Sequence, residues 1–216
     1  MEIRWLHNPV WQDLAALHHA WHAAAPFAHV VIDDVLPAAD VATLFAIIDD
    51  EPVEFGTSDI YAFDATAPVP TTVAMASLRD GFAKALSPLL TELCGRENGA
   101  NERTLGAGPA VTRVDMRAYA YRPGHYLLPH TDHQDELGRI VAYAYYLPTP
   151  APPVGGELEL FAAHVQDGQL GSATSTQVFT PKPNRLVMFE VSERSLHQVR
   201  EVVDGLRLSL AGWFYP

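Results

Sequence analysis

The hydrophobic pattern changes period partway along the chain. Leu14, Leu17, His18 and Trp21 recur at helical spacing within Trp11–Ala25, and Pro26 closes the run, which predicts an amphipathic helix. Phe27–Ile32 reads as a strand. A second helix is expected over Ala38–Asp49, with Val41, Leu44, Phe45 and Ile48 on one face. A third, Met75–Cys94, carries Leu78, Phe82, Leu86, Leu89 and Leu93; Pro88 inside it predicts a kink or break. Between the last two, residues 50–72 hold Pro52, Gly56, Pro68 and Pro70. They read as a long irregular insertion, of the kind that often forms a lid. Residues 95–110 are polar, Gly-rich and read as a connector.

From Val111 onward the pattern becomes β-like, with runs at 111–121, 125–131, 139–147, 157–161, 177–179, 185–191, 196–202 and 206–215. Many short strands separated by turn residues indicate a barrel or sandwich. Helices first and strands later give an α+β class, with N-terminal helices packed on one side of a β core. The chain is read as one domain over 1–216: residues 1–110 as mainly helical support with a lid at 50–72, and 111–216 as the β core that carries the chemistry.

Composition narrows the classes. A length of 216 residues, 48% hydrophobic and 19% charged, suits one globular domain. The formal net charge of −12 argues against nucleic acid and against an anionic membrane as partners, since both select a basic face. Cys94 is the sole cysteine, so no intrachain disulfide can form, which fits a reducing compartment. No signal-like start and no long apolar run are visible. The expected location is cytoplasmic.

The chemistry centres on Tyr121-Arg-Pro-Gly-His-Tyr-Leu-Leu-Pro-His-Thr-Asp132. On a strand, His130 and Asp132 project from the same face. One imidazole and one carboxylate aimed together are two thirds of the facial triad that holds non-haem Fe(II). His197 is the candidate for the third ligand. Further on, the same alternation puts Arg207, Ser209, Ala211 and Trp213 on one face. An Arg pointing into a β core is costly unless an anion meets it, and a guanidinium grips a carboxylate with two parallel bonds. The alternative for Arg207 is an ion pair with Glu190 or Glu201. Outside this group, His18 and His22 read as a solvated helix face, and His125, His133 and His164 as surface loop residues.

The pieces Pro26–Pro37, Ser58-Asp-Ile-Tyr-Ala-Phe63, Tyr121-x-Pro-Gly, Pro129-His-Thr-Asp132, Tyr145-Tyr-Leu147, Gly155-Gly-Glu-Leu-Glu-Leu-Phe161, Pro181–Phe189, His197-Gln-Val and Arg207-x-Ser with Trp213-Phe-Tyr215 occur in an order and spacing that resembles the Fe(II)/2-oxoglutarate-dependent oxygenases, in their prolyl-hydroxylase-like branch. The resemblance implies a double-stranded β-helix (jelly roll) with iron on His130, Asp132 and His197. It implies 2-oxoglutarate chelating the metal, its distal carboxylate on Arg207 with help from the Tyr146 hydroxyl. Tyr121 would lie near the cosubstrate and Trp213 would wall the pocket; Ser209 is counted with them. Dioxygen takes the last position of the octahedron.

Two departures sharpen what the resemblance implies. Asp132 stands where related halogenases carry a small residue, which favours hydroxylation. Trp213 stands where nucleic-acid demethylases of the superfamily carry a second Arg, which disfavours a nucleobase. The implied reaction is hydroxylation of an unactivated C–H bond, with a prolyl residue in a protein or peptide as substrate. A free amino acid or natural-product intermediate is the alternative on the same scaffold. A non-catalytic metal- or ligand-binding jelly roll is the alternative of another class.

Overall fold

The computed structural model describes residues 3–95, 109–166 and 169–216; most of the expected connector at 95–110 lies outside them. A 3-10 turn at Pro9–Gln12 leads into α1 (Leu14–Ala23), which begins where the Asp13 carboxylate accepts the Ala16 N–H at 3.0 Å, an N-cap. β1 (His29–Ile32) follows, then α2 (Ala38–Asp49), then a hairpin of β2 (Val53–Thr57) and β3 (Tyr61–Thr66). The expected irregular insertion is thus corrected: its prolines stand outside the strands, and the residues between them alternate as strands do. Residues 1–110 therefore supply three strands as well as helices.

α3 (Val73–Leu93) runs unbroken through Pro88. The proline removes one i→i−4 bond, but Phe82, Leu86, Leu90 and Leu93 are all buried on either side of it, so packing holds the helix. Its start is fixed from two sides. Thr72 accepts the Met75 N–H, and the buried Glu51 carboxylate accepts N–H and O–H bonds from both Thr71 and Thr72 at 2.6–3.0 Å.

The rest is β: β4 (Arg113–Val114), β5 (Arg117–Tyr121), β6 (Tyr126–His130), β7 (Val141–Leu147), β8 (Val154–Gly155), β9 (Leu158–Gln166), β10 (Gln169–Phe179), β11 (Leu186–Glu190), β12 (His197–Val199), β13 (Val202–Asp204) and β14 (Arg207–Tyr215). One antiparallel sheet runs in the order β1-β11-β7-β14-β5-β3-β6-β12-β9-β10 and curls into a half-barrel, the double-stranded β-helix. The β9–β10 hairpin is longer than expected, because its Ser-, Thr- and Ala-rich middle lacks the apolar alternation that marks a strand.

β7 explains the layering. All seven of its residues are buried, but they divide by parity. Val141, Tyr143, Tyr145 and Leu147 join α1, α2 and α3 in one core, with Trp5, Trp21, Leu44 and Phe82. Ala142, Ala144 and Tyr146 face the barrel interior with Leu158, Leu160, Val187 and Phe189. Burying one large apolar side chain contributes roughly 1.5–3 kcal/mol, so the helical layer anchors one wall of the barrel. The opposite face of that wall is left to the chemistry.

Candidate metal centre and cosubstrate pocket

His130 ends β6 and His197 begins β12, and the two are register partners in the antiparallel pair. Asp132 lies two residues beyond β6. Its carboxylate oxygens sit 3.6 Å from His130 Nε2 and 3.4 Å from His197 Nε2, and a ligand atom from each residue lies within 4.8 Å of the others. Each imidazole is turned the same way. His130 Nδ1–H donates to the Leu128 carbonyl and His197 Nδ1–H to the Ser195 carbonyl, both at 2.9 Å. A carbonyl only accepts, so the proton belongs on Nδ1 and the Nε2 lone pairs point at Asp132. This is the tautomer that binds a metal through Nε2 with a backbone acceptor behind it.

Protonation agrees. Burial brings His197 down to about 4, against the raising influence of Asp132, and so keeps it neutral. Burial lowers His130, but the negative charge of Asp132 beside it outweighs this and the net direction is up, so metal binding through Nε2 would release a proton. Asp132 sits well below the usual carboxylate range; burial opposes this, but His197 and His130 outweigh it. Two imidazoles and one ionised carboxylate with a shared focus fit a divalent iron. His130, Asp132 and His197 could bind it.

Arg207 opens β14 on the barrel's inner face, 3% exposed. Its Nη1 donates to Ser209 Oγ at 3.2 Å, while its Nε and the neighbouring Tyr146 hydroxyl are buried with no partner. Among the described residues no carboxylate lies within 4 Å of it. Neither Glu190 nor Glu201 pairs with it. The rings of Tyr121 and Tyr146 flank the guanidinium, their centroids 4.7 and 5.0 Å from its central carbon. Burial pushes the Tyr121 phenol up, so it stays protonated. A buried cation with no carboxylate partner, beside the Ser209 hydroxyl, fits the distal carboxylate of 2-oxoglutarate.

The ligands and Arg207 line one cavity of about 460 Å³, which Tyr121, Ser209 and Trp213 also line. Tyr146 stands behind Arg207 and does not line it. Tyr61 and Phe63, stacked at 4.6 Å, reach the same cavity from β3. Among the outlying histidines, His133 pairs with exposed Asp135, His164 is exposed on β9, and His125 is half-buried against Phe55. His18 corrects the solvated-face reading: it is buried, and its Nε2 meets the Gly95 carbonyl at 3.0 Å.

Arg139 and Arg117 are cationic pocket residues that sequence reasoning missed. Arg139 stacks 3.6 Å over the Trp213 ring, donates to the Asp132 carbonyl at 3.2 Å, and has a buried Nε with no partner. A cation closing the acidic loop with Asp135 and Glu136, just before a buried strand, was the signal available for Arg139.

Comparison with known proteins agrees with this geometry. Residues 116–215 match the model of the 2OG-Fe(II) oxygenase superfamily. Prolyl 3-hydroxylase OGFOD1 of Mus musculus is 38% identical over 107 residues, 47% of this chain and 18% of that protein; the chain thus matches under a fifth of that relative's length. A prolyl-4-hydroxylase of Pseudomonas putida shares the fold with a TM-score of 0.61 at 22% identity, covering 94% of this chain and 98% of that one. A Trichoplax adhaerens prolyl hydroxylase, solved with a hypoxia-inducible-factor peptide, does so with a TM-score of 0.65 at 14% identity, covering 95% and 91%. The match to the 2OG-Fe(II) oxygenase superfamily covers residues 116–215, the β core that carries the site, and the relatives the chain is similar to include prolyl hydroxylases.

Proposed function

We propose that the chain is an Fe(II)- and 2-oxoglutarate-dependent dioxygenase that hydroxylates an unactivated C–H bond of a prolyl residue in a protein or peptide. The observation that carries this is the pairing of two features in one cavity: three ligand atoms within 4.8 Å of one another, and a buried Arg207 that has no carboxylate partner among the described residues. The names of the curated relatives support the prolyl part.

When bound, iron and 2-oxoglutarate supply the oxidising power, with dioxygen consumed and succinate and carbon dioxide released. The chain's own residues do the rest. His130, Asp132 and His197 would hold the metal through two imidazole nitrogens and one carboxylate. Arg207, with Ser209 beside it and the Tyr146 hydroxyl behind, orients the distal carboxylate. Tyr61, Phe63, Leu158 and Phe189 line the cavity and limit water. Arg139, fixed on Trp213, presents N–H groups to the substrate beside the metal centre and holds its target carbon in reach.

The test is an anaerobic titration with Fe(II) and then 2-oxoglutarate, following the weak visible charge-transfer band of the chelated metal. Wild type gives the band, and Arg207→Ala requires at least tenfold more 2-oxoglutarate. No band in wild type would remove the oxygenase reading and leave a non-catalytic jelly roll.

A further inference from the structure

The inner faces of β5 and β14 lie in register: Arg207 opposite Tyr121, Ser209 opposite Tyr119, Ala211 opposite Arg117. Side chains alternate, so Arg117, Tyr119 and Tyr121 share the inner face of β5. Arg117 and Arg207 therefore stand at opposite ends of one cavity wall, four positions apart and so separated by about 13 Å along the strands. Trp213, two positions beyond Ala211, carries Arg139 on its ring. The Arg117 Nε donates to the Thr66 carbonyl at 2.7 Å and its guanidinium lies 5.3 Å from the Tyr119 ring, which fixes it at the cavity that both residues line.

The charges on this wall are one-sided. Three arginines (Arg117, Arg139 and Arg207) line the cavity, and Asp132 is the only acid among the lining residues. This occurs in a chain whose net charge is −12. Arg207 accounts for one carboxylate of the cosubstrate and Asp132 for the metal. Neither accounts for Arg117 and Arg139, which among the described residues have no carboxylate nearer than the 4.0 Å between Arg139 and Asp132. Two guanidiniums in a half-enclosed cavity attract an anion more strongly than they would in open water.

We infer that Arg117 and Arg139 form a second anion pole of the pocket and select a substrate that carries a carboxylate close to the carbon it presents to the metal. This rests on the oxygenase reading and narrows its substrate. The carboxylate can be the terminal group of an amino acid or peptide, or an acidic side chain next to the prolyl residue. Both place the same group on the same two arginines.

Two probe pairs separate these sources, each differing only in charge. N-acetyl-L-proline against N-acetyl-L-prolinamide tests a terminal carboxylate. Acetyl-Pro-Glu amide against acetyl-Pro-Gln amide tests a side chain. Binding is measured by calorimetry on protein saturated with Mn(II) and 2-oxoglutarate, so turnover is not the readout. In at least one pair the charged member binds tenfold or more tightly. Arg117→Met brings that pair to parity and Arg117→Lys retains part of the preference. The affinity for 2-oxoglutarate is unchanged in both, which also shows that they are folded. If Arg117→Met does not fold, Arg139→Gln reads the same loss. Parity in both pairs, no binding by either charged probe, or a preference that survives the variants would overturn the inference. Failure to bind 2-oxoglutarate would instead strike at the oxygenase reading, and the probe preference could still be measured on the protein alone.

Discussion

Gly156 and Arg207 are in contact across the turn before β9: a Cβ built on Gly156 would lie 3.0 Å from Arg207 Cδ and 2.8 Å from Val202 Cγ2, at a φ of +71°. The glycine is required twice over, by its backbone region and by the space that the Arg207 stem fills. Gly156→Ala should therefore tilt the guanidinium off its seat without touching the metal ligands. The expected outcome is at least a tenfold rise in the 2-oxoglutarate concentration for half-saturation, about 1.4 kcal/mol, with metal affinity unchanged. The same spectroscopic titration reads both quantities; equal loss of metal binding would mean that the turn supports the whole barrel.

Phe63 meets three rings, Tyr61 at 4.6 Å, Tyr119 at 5.2 Å and Tyr121 at 5.7 Å. It belongs to a strand paired with both β5 and β6. The lid expected at 50–72 is therefore sewn into the sheet through β3, and the turn at 58–60 is tied to β6 as well, where the Leu128 N–H donates to the Ile60 carbonyl at 2.8 Å. We propose that it acts by excluding water. Phe63→Ala and Tyr61→Ala should lower the ratio of hydroxylated product to succinate several-fold and raise the KM for substrate. Both quantities come from one coupled assay, and an unchanged ratio would show that the rings only pack.

The parts of the site that were legible are those one strand encodes by itself. His130 with Asp132, and Arg207 with Ser209 and Trp213, follow from period two within a single segment. His197 is different. It meets His130 through the register of β12 on β6, which no local pattern states; its place ten residues before Arg207 makes it the candidate, and the resemblance gives it the ligand role. The β2–β3 hairpin was hidden by Pro52, Pro68 and Pro70, although Val53–Thr57 and Tyr61–Thr66 between them alternate. His18 was misread because its partner, the Gly95 carbonyl, lies 77 residues away. Arg139 was missed because its role depends on Trp213 standing opposite.

The His18 contact carries its own test. His18 and His22, on α1, both direct Nε2 at carbonyls that α3 leaves open at its C-terminal end: Gly95 at 3.0 Å from each, and Leu93 at 3.1 Å from His22. Such carbonyls have no partner within their own helix. His18→Ala should cost about 1–3 kcal/mol through the lost bond and the cavity left behind, and His22→Ala less, because that side chain is exposed. Chemical denaturation of the two variants gives the order directly, and equal losses would show that burial is not what distinguishes them.

Acid should weaken the fold through its paired carboxylates. Glu51 is brought down to about 2: burial opposes this, but the four bonds from Thr71 and Thr72 outweigh it. Glu159 is brought to about 2 by Arg200 in spite of burial, and Asp33 to about 2 by Arg185 and Lys182. A carboxyl whose pKa is lower in the folded than in the unfolded chain binds fewer protons when folded. Its stabilisation is thus complete above the unfolded value and is lost as pH falls through the folded one. The window here runs from about pH 4.5 down to about pH 2. Unfolding free energy should be flat from neutral pH to near 5 and then fall steeply. Glu51→Gln should lose about 2 kcal/mol at pH 7 once solvent screening is allowed for, and it should show a shallower acid limb than wild type. Urea melts at a series of pH values decide the point, and an acid limb in Glu51→Gln as steep as wild type would mean that the charge on Glu51 does not hold the start of α3.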